Sequence, residues 1–249
     1  MQGETLELYA EGIGEMKIDL YGDGIGSVEY IKHDGDDLTV VNAARVSFGA
    51  EKDQLDSKDV KLINYLMKHG HTSPFEHCSI TFRFVVPLFI RSQHHRHRTW
   101  SYNEISRRYT SVDMKFYSPE SFRTQHKSNR QASNDEFVDP MLNSSYMAIG
   151  FEKASEAVKM HNSRSLSLYN AMIAAGVCRE QARGVLPQNL YTQYYGTVDL
   201  HNLLKFISLR MHEGAQWEIQ KVAKACLDIA KEYFPESIQA YMSHHTEGS

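Results

Sequence analysis

Residues Ser79 to Val86 set the first constraint on this chain. Ile80, Phe82, Phe84 and Val86 fall on one side of an extended backbone, with Thr81 and Arg83 on the other. A strand with four large apolar residues on one face is unstable alone: it needs paired neighbours and a layer to cover that face. The sequence offers both. Residues 16–31 mix alternating apolar residues with Gly22, Gly24 and Gly26, the pattern of a hairpin, and residues 188–198 are rich in Tyr and Thr and read as extended.

The covering layer reads as helical. Ile219, Val222, Ala223, Cys226, Ile229, Ala230 and Tyr233 recur at helical spacing, and Pro235 closes the run. Val60, Ile63, Leu66 and Met67 form a stripe over residues 58–69, with Gly70 as the stop. Asp37 is placed to cap a helix through Val40, Val41, Ala44 and Val46. A long helical region is expected from about Asn143 to Ala175, and another helix over residues 199–211. Residues 122–136 are polar and aperiodic and read as a mobile loop. Strands and helices mix without regular alternation. The expected class is therefore α+β, a single domain over residues 16–249 with a small antiparallel sheet packed against several long helices, preceded by an N-terminal extension, residues 1–15.

Charge and composition exclude several classes. A net charge of −4 argues against a protein that coats nucleic acid. The strongest apolar run, Phe84 to Ile90, is too short to span a membrane and is broken by Pro87. Met1 to Glu15 lacks the basic start and apolar centre of a signal peptide. Cys78, Cys178 and Cys226 are too few and too scattered for a disulfide framework or a zinc motif. A cytoplasmic protein without membrane contact is expected.

The chemistry concentrates between Arg91 and Tyr109. Arg91, Arg96, Arg98, Arg107 and Arg108 face a single acid, Glu104, in a chain that is acidic overall. Such local inversion of charge points to a bound polyanion, and arginine in place of lysine suits bidentate contact with phosphate. Two alternatives stand beside that reading: a solvated basic face, or a nucleic-acid-binding module over residues 91–108 with Trp100 and Tyr102 for stacking. Ser101, Asn103, Glu104 and Ser106, interleaved at close spacing, favour a shaped pocket for a phosphorylated small molecule. A metal site using His94, His95 and His97 is disfavoured, because no carboxylate or cysteine at close spacing completes a ligand set.

Arg96 to Tyr109 (RHRTWSYNEISRRY) resembles the RHRxxSxNExSxRY motif of the flavin-dependent thymidylate synthases, the ThyX family, at all nine specified positions. Asn42–Phe48, Met67–His77, Arg183–Arg210 and Ala215–Ile219 are similar to further segments of the family in the right order, so the resemblance runs from about Ile18 to Phe234. It implies reductive methylation of dUMP to dTMP, with FAD as cofactor and NADPH and methylenetetrahydrofolate as co-substrates. It also implies a homotetramer whose active sites combine residues from several subunits.

The resemblance further assigns roles by position. Gln93, Arg96, Glu104, Ser106, Arg107, Arg108, Arg183 and Arg210 fall on dUMP-binding positions, with Arg210 the catalytic residue that activates the pyrimidine ring. Ser47, His71, Ser73, Glu76, Arg96, His97, Arg98, Thr99, Glu104, Asp199, His201 and Lys205 fall on FAD-contacting positions. Several carry simpler readings of their own. Ser73, Pro74 and Glu76 form a helix-start pattern with Ser73 as N-cap, Ser101 and Glu104 fit a second capping box, and Arg210 suits the end of a helix dipole. Asp199, His201 and Lys205 stand where Asn, Arg and Asn occur in some relatives; an aspartate suits the adenine or ribose side of FAD better than its pyrophosphate. No cysteine follows a proline, unlike the nucleophile of the folate-only thymidylate synthases.

Overall fold

The computed structural model describes residues 16–109, 114–130, 132–143 and 151–245; the expected N-terminal extension lies outside them. The chain enters through a hairpin of β1 (Lys17–Asp19) and β2 (Ser27–Asp34). Its turn is built by two carboxylates: Asp19 accepts from the backbone N–H groups of Tyr21, Gly22 and Gly24, Asp23 from those of Ile25 and Gly26, and Gly22 and Gly24 take positive φ. β2 pairs antiparallel with β3 (Ser79–Pro87), whose Ile80, Phe82, Phe84 and Val86 are completely buried. On the far side β3 pairs antiparallel with a later strand over Tyr191–Asp199, which in turn pairs with β4 (Ser101–Glu104).

Two small hairpins come before that later strand. β5 (Phe122–Gln125) pairs with β6 (Ser133–Val138), and β7 (Met141–Asn143) with β8 (Phe151–Lys153). With the later strand as β9, the main sheet has the order β1-β2-β3-β9-β4, antiparallel at every pairing. The mobile loop expected over residues 122–136 is thus a hairpin. Its β6 strand is almost wholly exposed, so it shows no apolar alternation from which to read it. The helix expected from about Asn143 begins only at Ala154, after β8.

Helices α1 (Asp37–Arg45) and α2 (Ser57–Lys68) lie between β2 and β3 in sequence. After β3 come α3 (Leu88–His94), the long α4 (Ala154–Ala174) and the short α5 (Arg179–Ala182). The chain closes with α6 (Leu200–Met211), α7 (Trp217–Tyr233) and α8 (Pro235–His245). One core joins the buried face of the sheet to α1, α2, α6, α7 and α8; a smaller one gathers Tyr169, Ala182, Leu186 and Leu190. Pro235 does end α7, and it also opens α8 as its first residue. Among the described residues no helix is long and apolar enough to cross a membrane.

The N-cap of α1 is Asp36, not Asp37. Asp36 accepts from Thr39 N at 2.9 Å and Thr39 answers with its hydroxyl, a complete capping box. Asp37 is buried and serves a distant helix: its carboxylate accepts from Glu236 N at 2.8 Å, Ser237 N at 2.9 Å and the Ser237 hydroxyl at 2.5 Å. One side chain therefore ties the start of α8 to the start of α1.

Candidate active site

The stretch from Arg91 to Tyr109 folds into the end of α3, a tight turn, β4 and a loop. The turn is closed by His97 N donating to His94 O at 2.9 Å, and held from inside by aromatic rings. Trp100 is buried against Phe82, Phe84, His94 and Phe206. Gly196 of β9 makes room for it, since a Cβ there would meet Phe84 at 2.9 Å and Trp100 at 3.1 Å. The Tyr102 hydroxyl donates to the carbonyls of His94 and His97 at 2.9 and 3.1 Å. These two rings are scaffold. They are not a platform for stacking bases, which the nucleic-acid alternative requires. His94 is core as well: it is fully buried, its Nδ1 lies 2.8 Å from the Tyr194 hydroxyl, and burial pushes its pKa far below 6.5. Among the described residues no group of three His, Cys, Asp or Glu is arranged to hold a metal.

With the rings inside, the turn presents Arg96, Arg98 and Thr99 to solvent and leaves His97 half-buried. His97 meets the last turn of α6. Arg210 donates from Nε to His97 Nε2 at 3.0 Å and from Nη2 to the Gln93 carbonyl at 3.2 Å. An arginine has only donors, so Nε2 of His97 is the acceptor and its proton sits on Nδ1. Burial, and then the Arg210 charge, lower the His97 pKa to about 4.

Arg210 lies at one edge of a cleft of about 930 Å³ between α2, the turn at residues 72–75 and α6. Leu66, Met67, Phe75 and Leu204 give it apolar walls, and Thr72, His201, Lys205 and Arg210 supply polar groups. His71, Ser73 and Glu76 are exposed around the same turn, and Ser47 is exposed on a turn that follows α1. Ser73 is not a cap: residues Ser73–His77 form a 3-10 helix whose N-cap position is Thr72, with no side-chain bond. Asp199 has a role inside the chain as the N-cap of α6. Its two oxygens accept from Asn202 N at 2.9 Å and Asn202 Nδ2 at 2.7 Å.

A second cleft, about 590 Å³, lies between the loop after β4 and the region of α5. It brings together Arg91, Glu104, Ser106, Arg107, Arg108 and Arg183. Glu104 sits in a strand, so the capping box read from Ser101 and Glu104 does not form. Its Oε1 accepts from the Thr192 hydroxyl at 2.6 Å and lies 3.3 Å from Arg91 Nε. The Ser106 hydroxyl accepts from Arg108 N at 3.3 Å. The two clefts share no lining residue. Of the nucleotide-assigned residues, Glu104, Ser106, Arg107, Arg108 and Arg183 stand together, whereas Arg210 and Gln93 stand apart with His97.

The family described as "Thymidylate synthase complementing protein" matches residues 29–236. The chain belongs to this family. It is 42% identical to the flavin-dependent thymidylate synthase of Thermus thermophilus, over 90% of this chain and 78% of that protein. It is 40% identical to the enzyme of the same description from Thermotoga neapolitana, over 90% of this chain and 94% of that protein. Among solved structures it is similar to the UMP/dUMP methylase PolB from Streptomyces cacaoi. With 5-Br dUMP bound, that structure is 31% identical with a TM-score of 0.75, over 92% of this chain and 98% of that one; with 5-Br UMP bound, 30% with a TM-score of 0.72, over 88% and 94%.

Seen within the thymidylate synthase family, the cysteines are bystanders where their surroundings are clear. Cys78 is buried and donates to Asp36 O at 3.3 Å; burial pushes its pKa up to about 12, and burial raises that of Cys226 as well. Sequence reasoning left three polar contributors without a role. Thr192 orders Glu104, while Gln216 and Glu218 lie one bond and two bonds beyond the Gln93 side chain. The only signal for the last pair was that Ala215–Ile219 resembles a family segment.

Proposed function

We propose that this chain is a flavin-dependent thymidylate synthase acting in the cytoplasm. It converts dUMP, methylenetetrahydrofolate, NADPH and a proton into dTMP, tetrahydrofolate and NADP⁺, with FAD as the bound cofactor. The observation that carries the reading is the Arg210 clamp: a guanidinium fixed by two hydrogen bonds at the edge of a large cleft, beside Gln93.

The first cleft fits a flavin dinucleotide in its donor set. Apolar walls from Leu66, Met67, Phe75 and Leu204 suit a ring system, and His201 and Lys205 offer hydrogen bonds and positive charge to a pyrophosphate. Ser47, His71, Ser73 and Glu76 complete the set by family position. Bound there, the flavin supplies the hydride that the new methyl group requires. The chain's own residues do the rest. Arg107, Arg108 and Arg183 supply forked donors for the nucleotide phosphate, with Ser106 beside them. Arg210 places positive charge where the pyrimidine must become electron-rich before its C5 can attack carbon. His97, neutral with Nε2 as acceptor, takes the Nε–H of the guanidinium and the Gln93 carbonyl takes one N–H of Nη2, which leaves the remaining N–H groups for the ring.

The separation of the two clefts supports a homotetramer with shared active sites, in which one copy supplies Arg210 and Gln93 and another the phosphate arginines. The test of the function is dTMP formation from the four small molecules by purified protein and by Arg210→Ala. The variant should keep its flavin and lose about two to three orders of magnitude in rate, as for removal of one charge-stabilising donor. Wild-type protein that forms no dTMP would sink the assignment; near-normal turnover by the variant would remove Arg210 from the mechanism.

A further inference from the structure

The polar residues of Ala215–Ile219 have no part in the mechanism above, yet they control one of its groups. Gln93 Nε2 donates to Gln216 Oε1 at 2.6 Å, and Gln216 Nε2 donates to Glu218 Oε2 at 2.9 Å. Glu218 is 5% exposed, and its carboxylate is gripped by Arg123 Nη2 at 2.8 and 2.9 Å to the two oxygens, with the Tyr117 hydroxyl 3.3 Å away. Arg123 is held in turn, over the Trp217 ring at 4.8 Å and with Nε donating to the Ser133 hydroxyl at 2.9 Å.

This chain has a direction. A carboxylate facing a guanidinium offers only acceptors, so Gln216 must turn its NH₂ toward Glu218. Its oxygen then faces Gln93, and Gln93 must turn its own NH₂ to meet it. Each amide is oriented by the group behind it, which is how amide flips are decided. Gln93 Oε1 is left without a partner among the described residues and is not sealed in the interior. Gln93 is also the residue whose carbonyl holds Arg210.

Resting on the thymidylate synthase reading, we propose that Gln216 and Glu218 are positioning residues that fix the Gln93 amide with its oxygen outward, so that it selects uracil over cytosine. The ring edge of uracil carries an N3–H donor between two carbonyl acceptors; the edge of cytosine carries an acceptor at N3 and an amino donor beside it. An outward amide oxygen accepts from the uracil N3–H and confronts the cytosine N3 with a second acceptor. Discrimination of this kind arises because the wrong base leaves polar groups unpaired.

The experiment measures dissociation constants of dUMP and dCMP for flavin-loaded wild type, Gln216→Ala and Glu218→Gln, together with thermal melts and flavin occupancy. Both variants remove the directional constraint, the second while keeping the shape of the side chain. Each should weaken dUMP about tenfold, the loss of one hydrogen bond, and weaken dCMP less, so that the ratio between them narrows. A purely structural role predicts a lower melting temperature with the ratio unchanged. An unchanged ratio in Gln216→Ala overturns the proposal even if Glu218→Gln fails to fold, because Gln216 is the direct contact of Gln93. Wild-type protein that makes no dTMP would instead sink the functional reading, so the two failures are separable.

Discussion

At the scale of single residues, His97 and Arg210 show what spacing along the chain hides. They are distant in sequence and were assigned to different ligands, yet they share a 3.0 Å hydrogen bond. Burial of His97, and then the Arg210 charge beside it, give a pH dependence. Folded His97 stays neutral down to about pH 4, whereas an unfolded imidazole takes a proton near 6.5. Between those values the unfolded chain binds more protons, so this histidine lowers stability as pH falls from about 6.5, with the loss complete below about pH 4. Fully buried His94 acts in the same direction. In Arg210→Ala the His97 pKa should rise toward 6.5 without reaching it, because burial is the larger cause and remains. Titration of the imidazole resonances in flavin-free protein reads this directly. A wild-type His97 titrating at 6.5, or no change on removing Arg210, would contradict the clamp.

At the scale of elements, the sequence was most legible where burial imposed a period. The stripes of β3, α2 and α7 were read nearly to their ends because one face of each meets the core. The β5–β6 hairpin was missed for the opposite reason: β6 faces solvent almost throughout, β5 is only half-buried, and Arg123 of β5 is held by Glu218. Caps fall between these cases. Asp36 and Asp37 are adjacent carboxylates, and only the fold shows that one caps α1 and the other caps α8. Ser73 had the right neighbours for a cap but lies in a 3-10 turn. Removing the buried anchor should be costly. Asp37→Ala leaves two N–H groups at the start of α8 unpaired and is expected to lower unfolding free energy by about 1–3 kcal/mol, measured by urea denaturation. An unchanged midpoint would mean that α8 does not depend on that contact.

At the scale of the whole molecule, the arrangement of the proposed site turns on two clefts that share no lining residue. The arginine motif could be read from sequence because its residues are contiguous, but the separation of its Glu104–Arg108 end from Arg210, which line different clefts, could not. Large apolar residues stay uncovered beside both clefts, Leu209 at 59% exposed near Arg210 and Tyr109 at 77% next to Arg108, as expected of surfaces that meet another copy. Shared sites make a prediction that separate sites do not. Arg210→Ala and Arg108→Ala chains should each be nearly inactive as pure assemblies, since each lacks one of the two arginines at every site. Co-expressed, they form mixed assemblies. If one copy supplies Arg210 and another Arg108, about one site in four is intact, the product of two even chances in a symmetric oligomer. The rate of dTMP formation should therefore recover to about a quarter of wild type, while the two variants purified apart and mixed without exchange stay inactive. If both arginines served a site from the same chain, every site in the mixture would keep one defect and no activity would return, so the absence of recovery in verified mixed assemblies rules out sites shared in this way.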